Sequence, residues 1–194
     1  MKLYVIRHGQ SKTNVTGCYT GHLQIPLTEK GIKDAEGVRP FLRGINFDKI
    51  YSSDLIRAKN TAETALPGCT YEETPLLREV DLGSLCGKNI MKCREELGEK
   101  LAKSRAAIDY SAFGGETKEE FYGRVRKFLD NVADSGYKIV AAFSHAGTLR
   151  TMLDIVLDSS ISRSKIRCRN CAIAVFEHTD GEWYLDSWIN TTEI

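Results

Sequence analysis

Residues 138–147 read KIVAAFSHAG. The apolar run at 139–143 is far too short to span a membrane and has no polar alternation. A run of this kind marks a strand buried on both faces, the place of a central strand in a parallel sheet. It halts at Ser144-His145-Ala146-Gly147, and residues 148–157 resume with the period of a helix. A second stretch has the same shape: LYVI at 3–6 stops at Arg7-His8-Gly9. Each strand delivers one histidine to the sheet edge, followed by small residues that allow close backbone approach.

Working outward, helical and extended segments alternate. Thr28 opens a helix that places Ile32, Ala35, Val38 and Leu42 on one face. Residues 48–51 read as a strand, and Ser52-Ser53-Asp54 offers a cap to a helix running to Ala65, which Pro67-Gly68 stops. A third strand falls at 70–73, the stretch 76–87 is irregular, and 91–108 is a highly charged helix. Thr117 and Glu120 form a capping box for a helix to about Ala133. Residues 172–176 and 183–188 pair as a hairpin turned at Asp180-Gly181. This order predicts an α/β fold of three layers, α/β/α, with a mostly parallel sheet and helices on both faces. Ligands of such sheets gather beyond the carboxyl ends of the strands.

The 194 residues suit one domain, and a net charge of +1 supplies no global field for nucleic acid or an anionic membrane. Neither partner is expected. The first residues hold one lysine and then a strand-like run, unlike a secretion signal, so a cytoplasmic location is expected. Cysteines at 18, 69, 86, 93, 168 and 171 read as reduced, small apolar residues. Cys168-Arg-Asn-Cys171 has C-x-x-C spacing, but a zinc site needs a second matched pair. A redox motif would open a helix, whereas Cys171 leads into a strand. No metal is expected.

The chemistry converges on the two histidines. Arg57, just beyond the 52–54 cap, projects toward the edge that carries Arg7, His8 and His145. Two arginines and two histidines there make an anion pocket, and the planar guanidinium fork suits phosphate. The amides of Ala146 and Gly147, at a helix start, would add donors. Glu79, in Leu77-Arg78-Glu79, hangs a carboxylate over the pocket. A histidine that attacks phosphorus must be neutral, and an acid must protonate the leaving alkoxide, the task assigned to Glu79. His22 and His178 lack such a context and read as surface or loop residues.

The ordered series Arg7-His8-Gly9, Asn14, Thr20-Gly21, Pro26-Leu27-Thr28, Gly31, Ser53-Asp54-Leu55, Arg57-Ala58, Thr61-Ala62, Leu77-Arg78-Glu79, Gly115-Glu116-Thr117 and Ser144-His145 resembles the histidine phosphatase superfamily, the phosphoglycerate-mutase-like family. The resemblance runs from Leu3 to about Arg150. It implies that His8 becomes phosphohistidine, that Arg7, Arg57 and His145 bind the phosphoryl group, and that Glu79 is the acid/base. It further implies that Asn14, Thr20 and Gly21 line the phosphate or substrate side, and that the Gly9 carbonyl holds the other ring nitrogen of His8. No metal or other cofactor is implied. Thr13, Ala146 and Cys86 depart from the usual pattern at positions where tryptophan, glycine and an acidic residue are frequent.

The activity expected is that of a metal-independent phosphomonoesterase for a small phosphorylated metabolite. A single domain over 1–194 would carry a lid or insertion at about 84–115, where Lys88, Met91, Lys92 and Tyr110 would choose the substrate. Only residues 80–113 separate Glu79 from Gly114, short for the lid of a cofactor-dependent mutase. That favours hydrolysis over mutase-type transfer. Retention of both histidines, both arginines and the glutamate argues against a silent phospho-ligand-binding domain. Nothing in the sequence fixes an oligomeric state.

Overall fold

Strands β1 (Lys2–Arg7), β2 (Lys49–Ser52), β3 (Glu72–Glu73), β4 (Ile139–Ser144), β5 (Ile173–Thr179) and β6 (Glu182–Ile189) form one sheet in the computed structural model, which describes residues 1–158 and 165–192. Their order is β3-β2-β4-β1-β5-β6. The first four of that order run parallel, and the hairpin β5–β6 adds on antiparallel beside β1. The expected mostly parallel sheet is present, with β4 and β1 at its centre. Cα register pairs Arg7 with Ser144, so His8 and His145 leave the sheet side by side.

Seven helices flank these strands among the described residues: α1 (Lys12–Thr16), α2 (Glu29–Glu36), α3 (Arg39–Leu42), α4 (Ile56–Ala65), α5 (Ile90–Ala107), α6 (Lys118–Ala133) and α7 (Ala146–Val156). The two-residue period of a strand sorts the core into two halves. Leu3, Val5, Val140 and Ala142 point to one face and pack with Phe121, Val125 and Phe128 of α6 and Leu149 and Met152 of α7. Ile6, Ala141 and Phe143 point to the other and pack with Ala35, Val38 and Leu42 and with Ala62 and Ala65 of α4. The sheet is therefore the middle of three layers, α/β/α. No helix among the described residues is long and apolar enough to cross a membrane.

Local chemistry explains where the elements differ from the sequence reading. The expected helix from Thr28 through Leu42 is broken, since Gly37 closes α2 and Pro40 lies in the first turn of α3. Gly31 and Ala35 face the core, so Ile32, a turn of about 100° further round, is 44% exposed. Helix α4 takes no cap from Ser52-Ser53-Asp54. Its N-cap is Leu55, and the Ile56 N–H donates instead to Gln24 Oε1 at 2.8 Å. Helix α5 is interrupted at Gly98 (φ 46°, ψ −121°). Helix α7 starts two residues early, at Ala146, which makes His145 its N-cap. The Thr117/Glu120 capping box and the Asp180-Gly181 turn, both residues at positive φ, form as read.

Candidate active site

His8 leaves β1 with its own N–H donating to the Ser144 carbonyl at 2.9 Å, and the residue is 4% exposed. Its Nδ1 lies 2.6 Å from the Gly9 carbonyl oxygen. A carbonyl can only accept, so Nδ1 carries the proton and Nε2 keeps a lone pair. Gly9 is required for close approach: a Cβ there would stand 2.3 Å from the Gly31 carbonyl oxygen. The Gly9 N–H donates to Thr61 Oγ1 at 3.0 Å, and that hydroxyl donates to the Arg57 carbonyl at 2.7 Å. Three separated parts of the sequence pattern thus meet behind one ring.

His145 is fully buried, its ring centroid 5.2 Å from that of His8. Its Nε2 pairs with Ser53 Oγ at 2.9 Å, while Nδ1 is buried with no partner. Arg57 is 1% exposed, and its two Nη groups donate to the Leu23 and Gly21 carbonyls at 2.9 Å each. Arg7 donates from Nη1 to the Cys168 carbonyl at 2.6 Å. The Nε atoms of both arginines are buried without partners. Buried donors are normally satisfied, so the two unpaired guanidinium N–H groups are donors that an acceptor oxygen would satisfy.

Burial, then the Arg57 and Arg7 guanidiniums, hold the His8 imidazole well below its ordinary pKa, against the opposing Gly9 hydrogen bond. Burial, Arg57 and His8 do the same to His145. Both rings are neutral near pH 7. Burial lowers Arg57 to about 10, which leaves it cationic. The niche therefore holds a neutral, oriented imidazole beside fixed positive charge.

Glu79 lies close enough to Arg7 and Arg57 for its charge to act on both. Its carboxylate accepts from the Val80 N–H at 3.0 Å and the Gly147 N–H at 3.1 Å. The Gly147 amide is therefore engaged by Glu79 rather than facing the niche. A brace absent from the sequence reading fixes the Glu79 backbone. Arg124 donates to the Arg78 carbonyl at 2.7 Å and the Glu79 carbonyl at 2.8 Å, and its guanidinium also forks onto Glu116. A bidentate pair between Arg78 and Asp54 ties the same loop to the start of α4. Thr148 Oγ1 and Ser144 Oγ donate to the Arg78 and Leu77 carbonyls, each at 2.7 Å.

The remaining expected residues are placed as follows. Asn14 is exposed at α1, and its Oδ1 accepts from the Ser11 N–H at 3.0 Å. Thr20 Oγ1 is 2.6 Å from Thr13 Oγ1, and Gly21 contributes its carbonyl to Arg57. Ala146 is half-buried at the first position of α7. His22, read as a loop residue, sits at the site: its Nε2 is 2.8 Å from the Glu79 carbonyl and its Nδ1 3.7 Å from Asp81. His178 stacks on Trp183 away from it. Lys88, Met91 and Lys92 are exposed, but Tyr110 packs in the core at 9% exposure and presents no lid surface. A cavity of about 570 Å³ lined by Leu42, Phe47, Ile50 and Leu66 includes none of these residues. Among the described residues, no cluster of three or more His, Cys, Asp or Glu could hold a metal.

An α/β sheet that sets a neutral histidine among buried arginines at its carboxyl edge defines a phosphoryl-handling class of protein. The family comparison agrees: a family model described as histidine phosphatase superfamily (branch 1) matches residues 3–191, and the chain belongs to that superfamily. An adenosylcobalamin/alpha-ribazole phosphatase of Salmonella typhimurium is 34% identical over 79% of this chain and 78% of its own. A Salmonella paratyphi A protein named "Probable phosphoglycerate mutase GpmB" is 29% identical over 99% and 92%. The alpha-ribazole phosphatase of Shigella flexneri superposes with a TM-score of 0.87 at 24% identity, covering 98% and 97%, a likeness of fold. The protein is a phosphatase or mutase of this superfamily.

Proposed function

We propose that the protein is a metal-independent phosphomonoesterase that works through a phosphohistidine on His8. The observation that carries this reading is the Nδ1–H bond to Gly9, which leaves Nε2 with its lone pair on a ring close enough to Arg57 and Arg7 to feel their charge. The ester phosphate takes its hydrogen bonds from Arg7, Arg57 and His145, with further donors from Asn14 and the Ala146 amide. Thr20 and Gly21 line the approach, Gly21 by holding Arg57. Nε2 attacks phosphorus, the P–O ester bond breaks, and Glu79 gives its proton to the leaving alkoxide. Glu79 then removes a proton from water, whose oxygen attacks phosphorus. The N–P bond breaks, orthophosphate leaves, and neutral His8 returns. The fixed cations neutralise the charge on the transferring group, the work a metal does elsewhere.

The substrate is a small phosphorylated metabolite, selected by a lid at about 84–115 through Lys88, Met91 and Lys92. The test is hydrolysis of p-nitrophenyl phosphate at mildly acidic pH, with and without EDTA, and trapping of an acid-labile phosphoenzyme. Turnover that survives EDTA and is lost, with the phosphoenzyme, in His8→Ala supports the reading. No turnover and no phosphoenzyme in the wild type refutes it. Conversion of 3-phosphoglycerate to 2-phosphoglycerate with a bisphosphate primer, faster than hydrolysis, would establish the mutase reading instead.

A further inference from the structure

The Cys168-Arg169-Asn170-Cys171 stretch has no part in the chemistry above, yet it touches that chemistry closely. Its thiols are free and buried, 7% and 0% exposed. Burial raises both, Cys171 to about 12, so neither is poised as a thiolate. The polar groups between them are the ones in use. Residues 169–172 form a turn closed by the Ala172 N–H on the Arg169 carbonyl at 3.1 Å, with Cys171 at φ 59°.

That turn folds back onto the end of β1. The Asn170 Nδ2–H₂ donates to the His8 carbonyl at 3.1 Å and to Asn14 Oδ1 at 3.3 Å. The Cys171 N–H donates to the same His8 carbonyl at 3.3 Å, and the Cys168 carbonyl accepts from Arg7. From outside, Arg169 N–H donates to Asn190 Oδ1, and the Thr191 and Thr192 hydroxyls donate to the Cys171 and Asn170 carbonyls.

Both amide orientations follow from fixed partners. The His8 carbonyl can only accept, which sets Asn170 Nδ2 toward it. The Ser11 N–H can only donate, which sets Asn14 Oδ1 toward it. With Oδ1 taken by Ser11 and Asn170, Asn14 presents its Nδ2–H₂ outward as donors.

We propose that Asn170 is a positioning residue of the active site, which fixes the main chain of His8 and holds Asn14 with its amide donors toward the bound phosphate. It acts through His8 and Asn14 and does not touch the reacting atoms. The proposal rests on the phosphohistidine reading, and the test separates the two.

Steady-state kinetics on p-nitrophenyl phosphate and inorganic phosphate affinity by calorimetry are measured for Asn170→Ala, Asn14→Ala and the double variant. A loss of kcat of about 10- to 100-fold is expected for Asn170→Ala. In the Asn14→Ala background the same substitution should cost clearly less, since the two share one network. Residual kcat within twofold of wild type, or losses that multiply in full, would overturn the role, because a merely structural residue changes melting temperature and not this coupling. If Asn170→Ala does not fold, Asn170→Asp, equal in shape but without donor hydrogens, takes its place in the same cycle. A wild type that binds phosphate but does not turn over the ester would defeat the hydrolytic reading alone. The coupling is then measured on phosphate affinity: a smaller loss in the Asn14→Ala background supports the role of Asn170, and losses that multiply in full overturn it.

Discussion

Gly147→Ala separates the acid/base role proposed for Glu79 from the stability of the fold. A Cβ on Gly147 would stand 1.9 Å from Glu79 Oε1, and ordinary contact begins at 3.4 Å, so the carboxylate must retreat by 1.5 Å. The atom in the way is the far end of a flexible side chain, and Glu79 is only half-buried, so it can move and be solvated. Alanine at the second position of α7 is favoured over glycine by about 1 kcal/mol. Losing the Gly147–Glu79 hydrogen bond costs about the same. The melting temperature should therefore stay within about 4 °C of wild type. A displacement of that size at an acid/base should lower turnover about 10²-fold. An alkyl phosphomonoester, whose leaving alkoxide must be protonated, should suffer more than p-nitrophenyl phosphate, whose phenolate leaves readily. Side-by-side kinetics and melts decide it. Unchanged turnover or equal losses on both substrates would refute the role given to Glu79, and an unfolded variant would refute the stability balance.

Gly9→Ala should act oppositely, because its Cβ would meet a backbone oxygen, Gly31 O, at 2.3 Å. Neither strand end nor helix can yield cheaply, and a loss of about 3 kcal/mol, roughly 6–12 °C in melting temperature, is expected. Arg124→Ala removes the donors to Leu76, Arg78 and Glu79 and leaves the Glu116 carboxylate with the Asp81 N–H but without its cation. A denaturant titration should find about 3–5 kcal/mol lost, and Arg124→Lys should not restore it, since an ammonium cannot fork. Acidification should destabilise the protein. His8 and His145 lie below their ordinary value in the folded state, so below pH about 6.5 the unfolded chain binds more protons. Stability, full above that pH, should fall by up to about 1.4 kcal/mol per pH unit for each histidine, and melts that do not change between pH 8 and 5 would contradict it.

The architecture was legible because its signals are local. The run at 139–143 could only be a doubly buried strand, and the Thr117/Glu120 box and Asp180-Gly181 turn are set by neighbours in sequence. His8 and His145 were legible as a pair because two strands end alike. Side chains whose partners lie far along the chain were not. Arg124 sits on an ordinary amphipathic helix, and nothing near it in sequence points to the carbonyls of Leu76, Arg78 and Glu79. Gln24 Oε1 takes the Ile56 N–H, while Ser53 pairs with His145 and the Leu55 N–H and Asp54 pairs with Arg78. His22 does lie in a turn, as expected, but its partners Glu79 and Asp81 were hidden for the same reason. Asn170 lies between two cysteines whose spacing is the stronger local signal, and its partners His8 and Asn14 stand far away along the chain.

Arg57 shows how this fold holds a charge ready without neutralising it. A buried guanidinium with a carboxylate pressed against it would be satisfied and of little use to an anion. Here its two Nη groups rest on the Gly21 and Leu23 carbonyls, neutral dipoles that lower the cost of burial without cancelling the charge. Asp54, the nearest acid in sequence, is withdrawn onto Arg78, and Glu116 onto Arg124. Glu79 is drawn to the Gly147 and Val80 amides. Each carboxylate around the niche thus has a partner of its own, and the charge of Arg57 is left to act on the histidines. Burial first, and then the Arg57 and Arg7 charges, keep His8 neutral; in the proposed mechanism the same charges draw the phosphate to it, so the proposed nucleophile and its binding site share one set of cations.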